Sequence, residues 1–237
     1  NIKNHNYLKL QFVKNIKILA LIPARANSKR VKNKNLRNLN GNPLIFWSIL
    51  AAKKSKYIKE ICITSDSQAI LKYAKKQNVK TIKRPKKLAN DTIHADEAMI
   101  HAYQSLNKKY DYIIMLQPTS PLRNSKHIND AIKKIFYSKK DSLLSVCKNS
   151  KFIWKKKNNN FYPINYNIRK RPRHQDVKFY QENGAIYITK SNILLKNKNR
   201  LGGKIDIFIM DQECSIDIDS ISDFKKAKVF MVKNNIN

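Results

Sequence analysis

Three short stretches hold residues whose types and spacing could do chemistry. In SIDID, Asp217 and Asp219 stand two apart, and in an extended segment positions i and i+2 face the same side. Two carboxylates on one face suit a Mg²⁺ site that also engages a nucleotide; the plainer alternative is a turn or capping pair ahead of a helix. In ILALIPARANSKRVKNKNL, an apolar run opens into a loop bearing Arg25, Ser28, Lys29, Arg30, Lys32, Lys34 and Asn35. Those side chains could neutralise and hydrogen-bond a polyphosphate. The loop lacks glycine and is no Walker A sequence, and a merely solvated basic loop is the competing reading. In LQPTSPLR, two prolines stiffen a turn that offers Gln117, Thr119, Ser120 and Arg123, an amide, two hydroxyls and a guanidinium, to a polyhydroxylated anionic molecule.

The elements that must position these groups alternate between strand and helix, the pattern of an α/β fold with a largely parallel sheet. Strands are expected at 16–22, 59–66, 79–83, 112–117, 141–148, 184–190 and 204–210. Helices are expected at 43–55, 67–78, 94–106, 125–138 and 222–232. In such sheets ligands sit beyond the carboxyl ends of strands, and both the basic loop and the Gln117 turn fall there. Residues 149–180 break the rhythm with KKKNNN and RKRPR, which reads as an arm outside the sheet. The domain division expected is an extension over 1–15 and a single domain over 16–237.

Composition narrows the alternatives. The 237 residues are 42% apolar, enough for one sizeable core. No apolar run approaches the roughly 20 residues that cross a bilayer, and the short patch after the first lysines lacks the cleavage site of a secretory leader. Cys62, Cys147 and Cys214 have neither disulfide nor zinc spacing, which suits a reducing cytoplasm. The net charge of +33 invites a polyanion-binding reading. It comes from 40 Lys against 9 Arg, spread end to end and accompanied by 28 Asn, a compositional drift rather than a clustered Arg reader. HADE (94–97), His127 and His174 read as surface or cap residues, and no Ser/His/Asp order or Cys nucleophile context emerges.

Six stretches in order, IPARANSKRVKNKNL, ICITSDS, RPKKLANDT, LQPTSPLR, ENGAIYI and SIDID, spread over about residues 16 to 232, resemble the bacterial CMP-sialic acid synthetases, the N-acylneuraminate cytidylyltransferases. The resemblance implies a Rossmann-like nucleotide-diphospho-sugar transferase fold, with 149–180 as a dimerisation arm and a cytoplasmic homodimer. It implies transfer from CTP to a nine-carbon α-keto acid sugar, with Mg²⁺ and release of diphosphate, and neither nucleic acid nor membrane as a partner. Arg25, Ser28 and Lys29 would bind the triphosphate, Lys34 and Asn35 would lie near the α-phosphate, and Arg84 would contact the cytidine. Asp217 and Asp219 would hold the metal and, with Arg25 and Lys34, form the catalytic set. Gln117, Thr119, Ser120, Gln181, Asn183 and Tyr187 would line the sugar pocket, and Arg173 would reach it from the arm. Asn27, Arg30 and Lys32 depart from a loop that often carries glycine and proline there. Gln181 stands where some relatives place arginine, which leaves legionaminic and pseudaminic acids open as acceptors.

Overall fold

Ile18 to Ile22 are all fully buried, because β1 (Ile18–Pro23) runs through the middle of a sheet covered on both faces. The computed structural model describes residues 15–26, 30–90, 94–177 and 179–236. After β1 come a small ribbon of β2 (Asn38–Leu39) and β3 (Asn42–Pro43), then α1 (Leu44–Lys53), β4 (Ile58–Ser65), α2 (Gln68–Lys76) and β5 (Lys80–Lys83). The chain continues through α3 (Ala95–Ser105), β6 (Tyr112–Met115), α4 (Ser125–Ser138) and β7 (Ser142–Asn149). A hairpin of β8 (Trp154–Lys157) and β9 (Asn160–Pro163) precedes β10 (Phe179–Lys190), α5 (Ser191–Asn197), β11 (Ile205–Ile209) and α6 (Ile221–Lys233).

The seven-stranded sheet has the order β11-β7-β10-β6-β1-β4-β5. β10 runs antiparallel to both its neighbours, and the other pairs are parallel. From β1 the chain winds to one side through β4 and β5, then returns to add β6 on the other. That switch leaves a crevice at the carboxyl ends of β1, β4 and β6. One face of the sheet packs under α1, α2 and α4 through Ile45, Ile49, Ile70 and Ile132. The opposite face packs under α3 and α5 through Met99, Ala102 and Leu194.

A third apolar cluster joins Trp47 of α1 to Phe224, Ala227 and Met231 of α6, and Ile218 is fully buried in it. Burying an isoleucine side chain stabilises by roughly 1.5–3 kcal/mol, so Ile218 is an anchor. Its two flanking aspartates are thereby held on the outside. The cap of α6 is Ser220, whose hydroxyl accepts from the Asp223 backbone while the Asp223 carboxylate reaches back. Asp217 and Asp219 are therefore not needed as caps.

The expected helix at 125–138 coincides with α4, and the other helices and strands expected are found with shifted ends. Besides the small β2–β3 ribbon, three features differ. β10 begins at Phe179, inside the stretch read as an arm, because its first four residues are exposed and carry no alternating apolar signal. α5 and the β8–β9 hairpin were not expected either; one is seven residues long and the other has an exposed first strand, β8. Among the described residues, no helix is long and apolar enough to cross a membrane.

Candidate active site

The basic loop is tied down at its start by two backbone hydrogen bonds. Ala24 N–H donates to the Thr64 carbonyl at 3.0 Å, and Ala26 N–H donates to Asp66 Oδ1 at 2.8 Å. Ser28 and Lys29 lie outside the described residues. After Val31 sinks into the third cluster, Asn33 takes a left-handed φ of 53° and starts a short 3₁₀ turn over Lys34–Leu36. Asn tolerates that conformation better than most residues. The turn aims Asn35 inward, where its Nδ2 donates to the Arg25 carbonyl at 3.0 Å. It aims Lys34 across the cleft, where Nζ donates to the Ile218 carbonyl at 2.6 Å and to Asp219 Oδ1 at 3.0 Å. Arg30 reaches the other oxygen of Asp219 at 3.2 Å.

Arg84 enters from the end of β5. Its side chain is 6% exposed, one guanidinium nitrogen donates to the Thr64 carbonyl at 3.0 Å, and its Nε has no partner among the described residues. Burial lowers the pKa of Arg84 and the charge of Arg25 lowers it further, against the opposing pull of Asp66. Two guanidinium groups so placed favour an anion between them. They share a cavity of about 400 Å³ with Lys34, Asn35, Asp217 and Asp219.

Gln117 and Thr119 line the same cavity from the end of β6. The Thr119 carbonyl accepts from Ile218 N–H at 2.8 Å, which ties the turn to the aspartate segment. The rest of the turn departs from expectation. Ser120 is 1% exposed, its hydroxyl has no partner among the described residues, and it lines neither of the two cavities. Arg123 is not presented to a ligand; it points into the interior and is 1% exposed. Burial lowers its pKa to about 9, so it remains charged at neutral pH.

A second cavity of about 360 Å³ shares Gln117 and Asp217 with the first and is otherwise lined by Gln181, Glu182, Asn183 and Tyr187, among others. β10 builds it through an irregularity. Gly184 adopts φ +73°, and the register against β7 shifts between Glu182 and Tyr187. The Asn183 amide is fully engaged: Oδ1 accepts from Ser145 Oγ at 2.6 Å and from Ala185 N–H, and Nδ2 donates to Ser215 Oγ at 2.9 Å. Asn183 thus shapes the wall. The Tyr187 hydroxyl donates to Glu182, and the Arg200 guanidinium lies 5.0 Å from the ring centroid. Arg200 is itself held by Asp96 at 2.7 Å, which links this strand to α3.

Asp217 lines the cleft, where it is partly desolvated while its surface stays exposed. That partial desolvation raises its pKa, and the neighbouring charge of Asp219 adds to the rise, while a hydrogen bond with Thr119 and the charge of Lys34 oppose it. Arg173 stays in the arm region, paired with Asp176 at 2.9 Å, and lines neither cavity. His127 and His94 are at helix starts as expected, but His94 also lines the first cavity. Asp66, Glu182 and Gly184 were missed as site residues. The ICITSDS and ENGAIYI stretches held the signal, but nothing in residue type alone separated a loop anchor or a bulge glycine from ordinary strand-end residues.

A mostly parallel α/β sheet thus carries a cation-walled cavity at its switch point, with two carboxylates lining it as well. The family model described as "Cytidylyltransferase" matches residues 19–235, and the chain belongs to that family. It is 34% identical over 226 residues to the N-acylneuraminate cytidylyltransferase of Escherichia coli, a match covering 92% of this chain and 53% of that protein. The chain thus spans about half the length of that relative. It is 32% identical over 232 residues to the CMP-N,N'-diacetyllegionaminic acid synthase of Legionella pneumophila, covering 92% of this chain and 98% of that one. The fold matches a solved CMP:2-keto-3-deoxy-manno-octonic acid synthetase complexed with CTP, at a TM-score of 0.72 and 16% identity, covering 92% and 99% of the two chains.

Proposed function

We propose that the protein transfers the cytidylyl group of CTP to the anomeric hydroxyl of a nine-carbon α-keto acid sugar of the N-acylneuraminate type. The sugar oxygen bonds to the α-phosphorus as the bridging oxygen to the β-phosphate departs, and the products are the CMP-sugar and diphosphate. The observation that carries this reading is the junction: Gln117 and Asp217 line both cavities, so ligands in the two would meet there. The cation-walled cavity suits the triphosphate, with Arg25, Lys34 and Arg84 opposing its charge and stabilising the leaving diphosphate; Ser28 and Lys29 would extend that grip. The second cavity, with its amides and carboxylates, suits a polyhydroxylated sugar, whose hydroxyl and N–H groups find acceptors there.

Mg²⁺ fits the donor set. Asp217 and Asp219 open on one cavity and the charge of Asp219 disfavours that of Asp217, an arrangement that a divalent cation relieves. When bound, the ion would supply positive charge at the phosphates. Lys34 and Arg30 already bond the two oxygens of Asp219 and orient its carboxylate.

The 16–237 stretch is taken as a single catalytic domain and the protein as a homodimer. Trp154, Phe161, Ile164 and Ile168 are 46–63% exposed on the arm, an apolar surface that suits a second copy. Arg173 of the arm would then supply the sugar carboxylate with the cation that the second cavity lacks. Reduced Cys62, Cys147 and Cys214 fit the cytoplasm. Gln181 favours a second reading of the acceptor, legionaminic or pseudaminic acid. Incubation with CTP and Mg²⁺, with N-acetylneuraminic, legionaminic and pseudaminic acids offered separately, decides by ³¹P NMR of the products. A CMP-sugar from one acid supports the proposal and names the acceptor; no phosphodiester product with any acid contradicts it.

A further inference from the structure

Arg123 carries a charge into the interior, and among the described residues no carboxylate pairs with it. Burying a charge is costly unless hydrogen bonds compensate. Here the compensation is specific, although Nη1 has no partner among the described residues. Arg123 Nε donates to the Ala185 carbonyl at 3.2 Å, and one terminal nitrogen donates to the Gln117 carbonyl at 3.2 Å and to Ser48 Oγ at 2.6 Å. Ser48 in turn donates to the same Gln117 carbonyl at 3.2 Å. The planar fork therefore joins the end of β6 to β10 just past its bulge, a geometry that a lysine ammonium does not reproduce.

A second observation converges on Gln117. A Cβ added at Gly184 would lie 2.9 Å from Gln117 Oε1, so the residue preceding Ala185 leaves room for that side chain and no more. Gln117 is held through its carbonyl, its Oε1 accepts from Thr119 Oγ1 at 3.4 Å, and it lines both cavities. We infer that Arg123 is a positioning residue for the transfer, fixing the Gln117 side chain at the junction by tying its backbone to Ala185. This inference rests on the reading of the two cavities given above. Arg123 touches neither substrate; it acts through Gln117.

The test is a kinetic cycle on the full chain, using CTP and the acid that the wild type accepts. Arg123→Lys is expected to lower kcat/KM for the sugar about tenfold or more, the scale of a slightly misplaced group, with KM for CTP within about twofold. In a Gln117→Ala background the same substitution is expected to cost no more than about twofold, because coupled residues are not additive. The same factor in both backgrounds, or equal losses on CTP and sugar, would overturn the inference and leave Arg123 a stabilising residue only. If Arg123→Lys does not fold, Ser48→Ala serves in its place, with a loss of about threefold expected to vanish in the Gln117→Ala background. Absence of wild-type turnover with all three acids counts against the acceptor, not against the clamp. Crystal structures of wild type and Ser48→Ala then decide: a displaced Gln117 side chain supports the clamp, and an unmoved one overturns it.

Discussion

The two cavities meet at Gln117 and Asp217 and differ in almost everything else. The first is walled by Arg25, Lys34 and Arg84, three cations drawn from the β1 loop and the end of β5. The second, from β10 and the segment before α6, has Glu182 and Asp217 and no Lys or Arg among its described lining residues. A unit charge pair at about 4 Å is worth roughly 4 kcal/mol near a protein surface, so this difference sorts ligands by charge. Under the proposed function, a triphosphate belongs in the first cavity. A sugar acid enters the second only by offering hydroxyl and N–H donors, and its carboxylate needs a cation from outside that cavity. The contrast teaches that the site is built from a charged half fixed by parallel strand ends and a neutral-to-acidic half fixed by the one antiparallel strand.

Removing the shared carboxylate is the strongest way to break this division. Asp217→Asn is expected to lower kcat on the order of 10²–10³-fold, as for other groups that act on developing charge, while CTP affinity, measured by calorimetry, changes only a few-fold. A loss confined to CTP affinity would place Asp217 in the nucleotide half alone. Arg25→Ala should act on the first cavity only: KM for CTP rises about tenfold or more, the scale of one charge-assisted hydrogen bond, and KM for the sugar holds within about twofold. Equal shifts in both KM values would erase the distinction.

Gly184→Ala addresses the second cavity. The left-handed φ of +73° costs a side-chain-bearing residue roughly 1–2 kcal/mol, and the new methyl presses on Gln117. A Tm lowered by about 3–6 °C follows for a chain of this size, with KM for the sugar raised more than KM for CTP. The smallest effect concerns the scaffold. His127 accepts the Asn124 N–H at 3.3 Å in the α4 capping box, and burial first, then Lys126 and Arg123, lower its pKa. The unfolded imidazole, near 6.5, binds a proton before the folded one does. This contribution to stability is therefore complete above about pH 6.5 and is lost as pH falls toward the folded value. In His127→Asn the drop in Tm between pH 7.5 and pH 5.5 should shrink by a degree or two relative to wild type; an unchanged drop removes His127 from the pH response.

The charged half was the more legible of the two in the sequence. Buried apolar runs ending in Pro23 and Arg84-Pro85 locate strand ends, and cations clustered after a strand end have few structural uses. Asp217 and Asp219 were legible because Ile218 alternates with them and buries alone. The other half was obscure for physical reasons. The first residues of β10 are exposed on both faces and show no alternation, and the bulge depends on a left-handed glycine that reads like any other. Arg123 looked like a ligand-facing cation because residue type does not reveal direction; only the acceptors at Gln117, Ala185 and Ser48 turn it inward. Asp66 acts through one backbone N–H, a role that leaves no pattern.

The measurement that tests the central claim most directly is diphosphate release under Mg²⁺, with CTP, ATP, GTP or UTP as the nucleotide and each of the three nonulosonic acids present or omitted. The account predicts release that requires CTP and one of the acids together, saturates in both, and falls on the order of 10²–10³-fold in Asp217→Asn. Release without any acid, or none from folded protein under every combination, would contradict it.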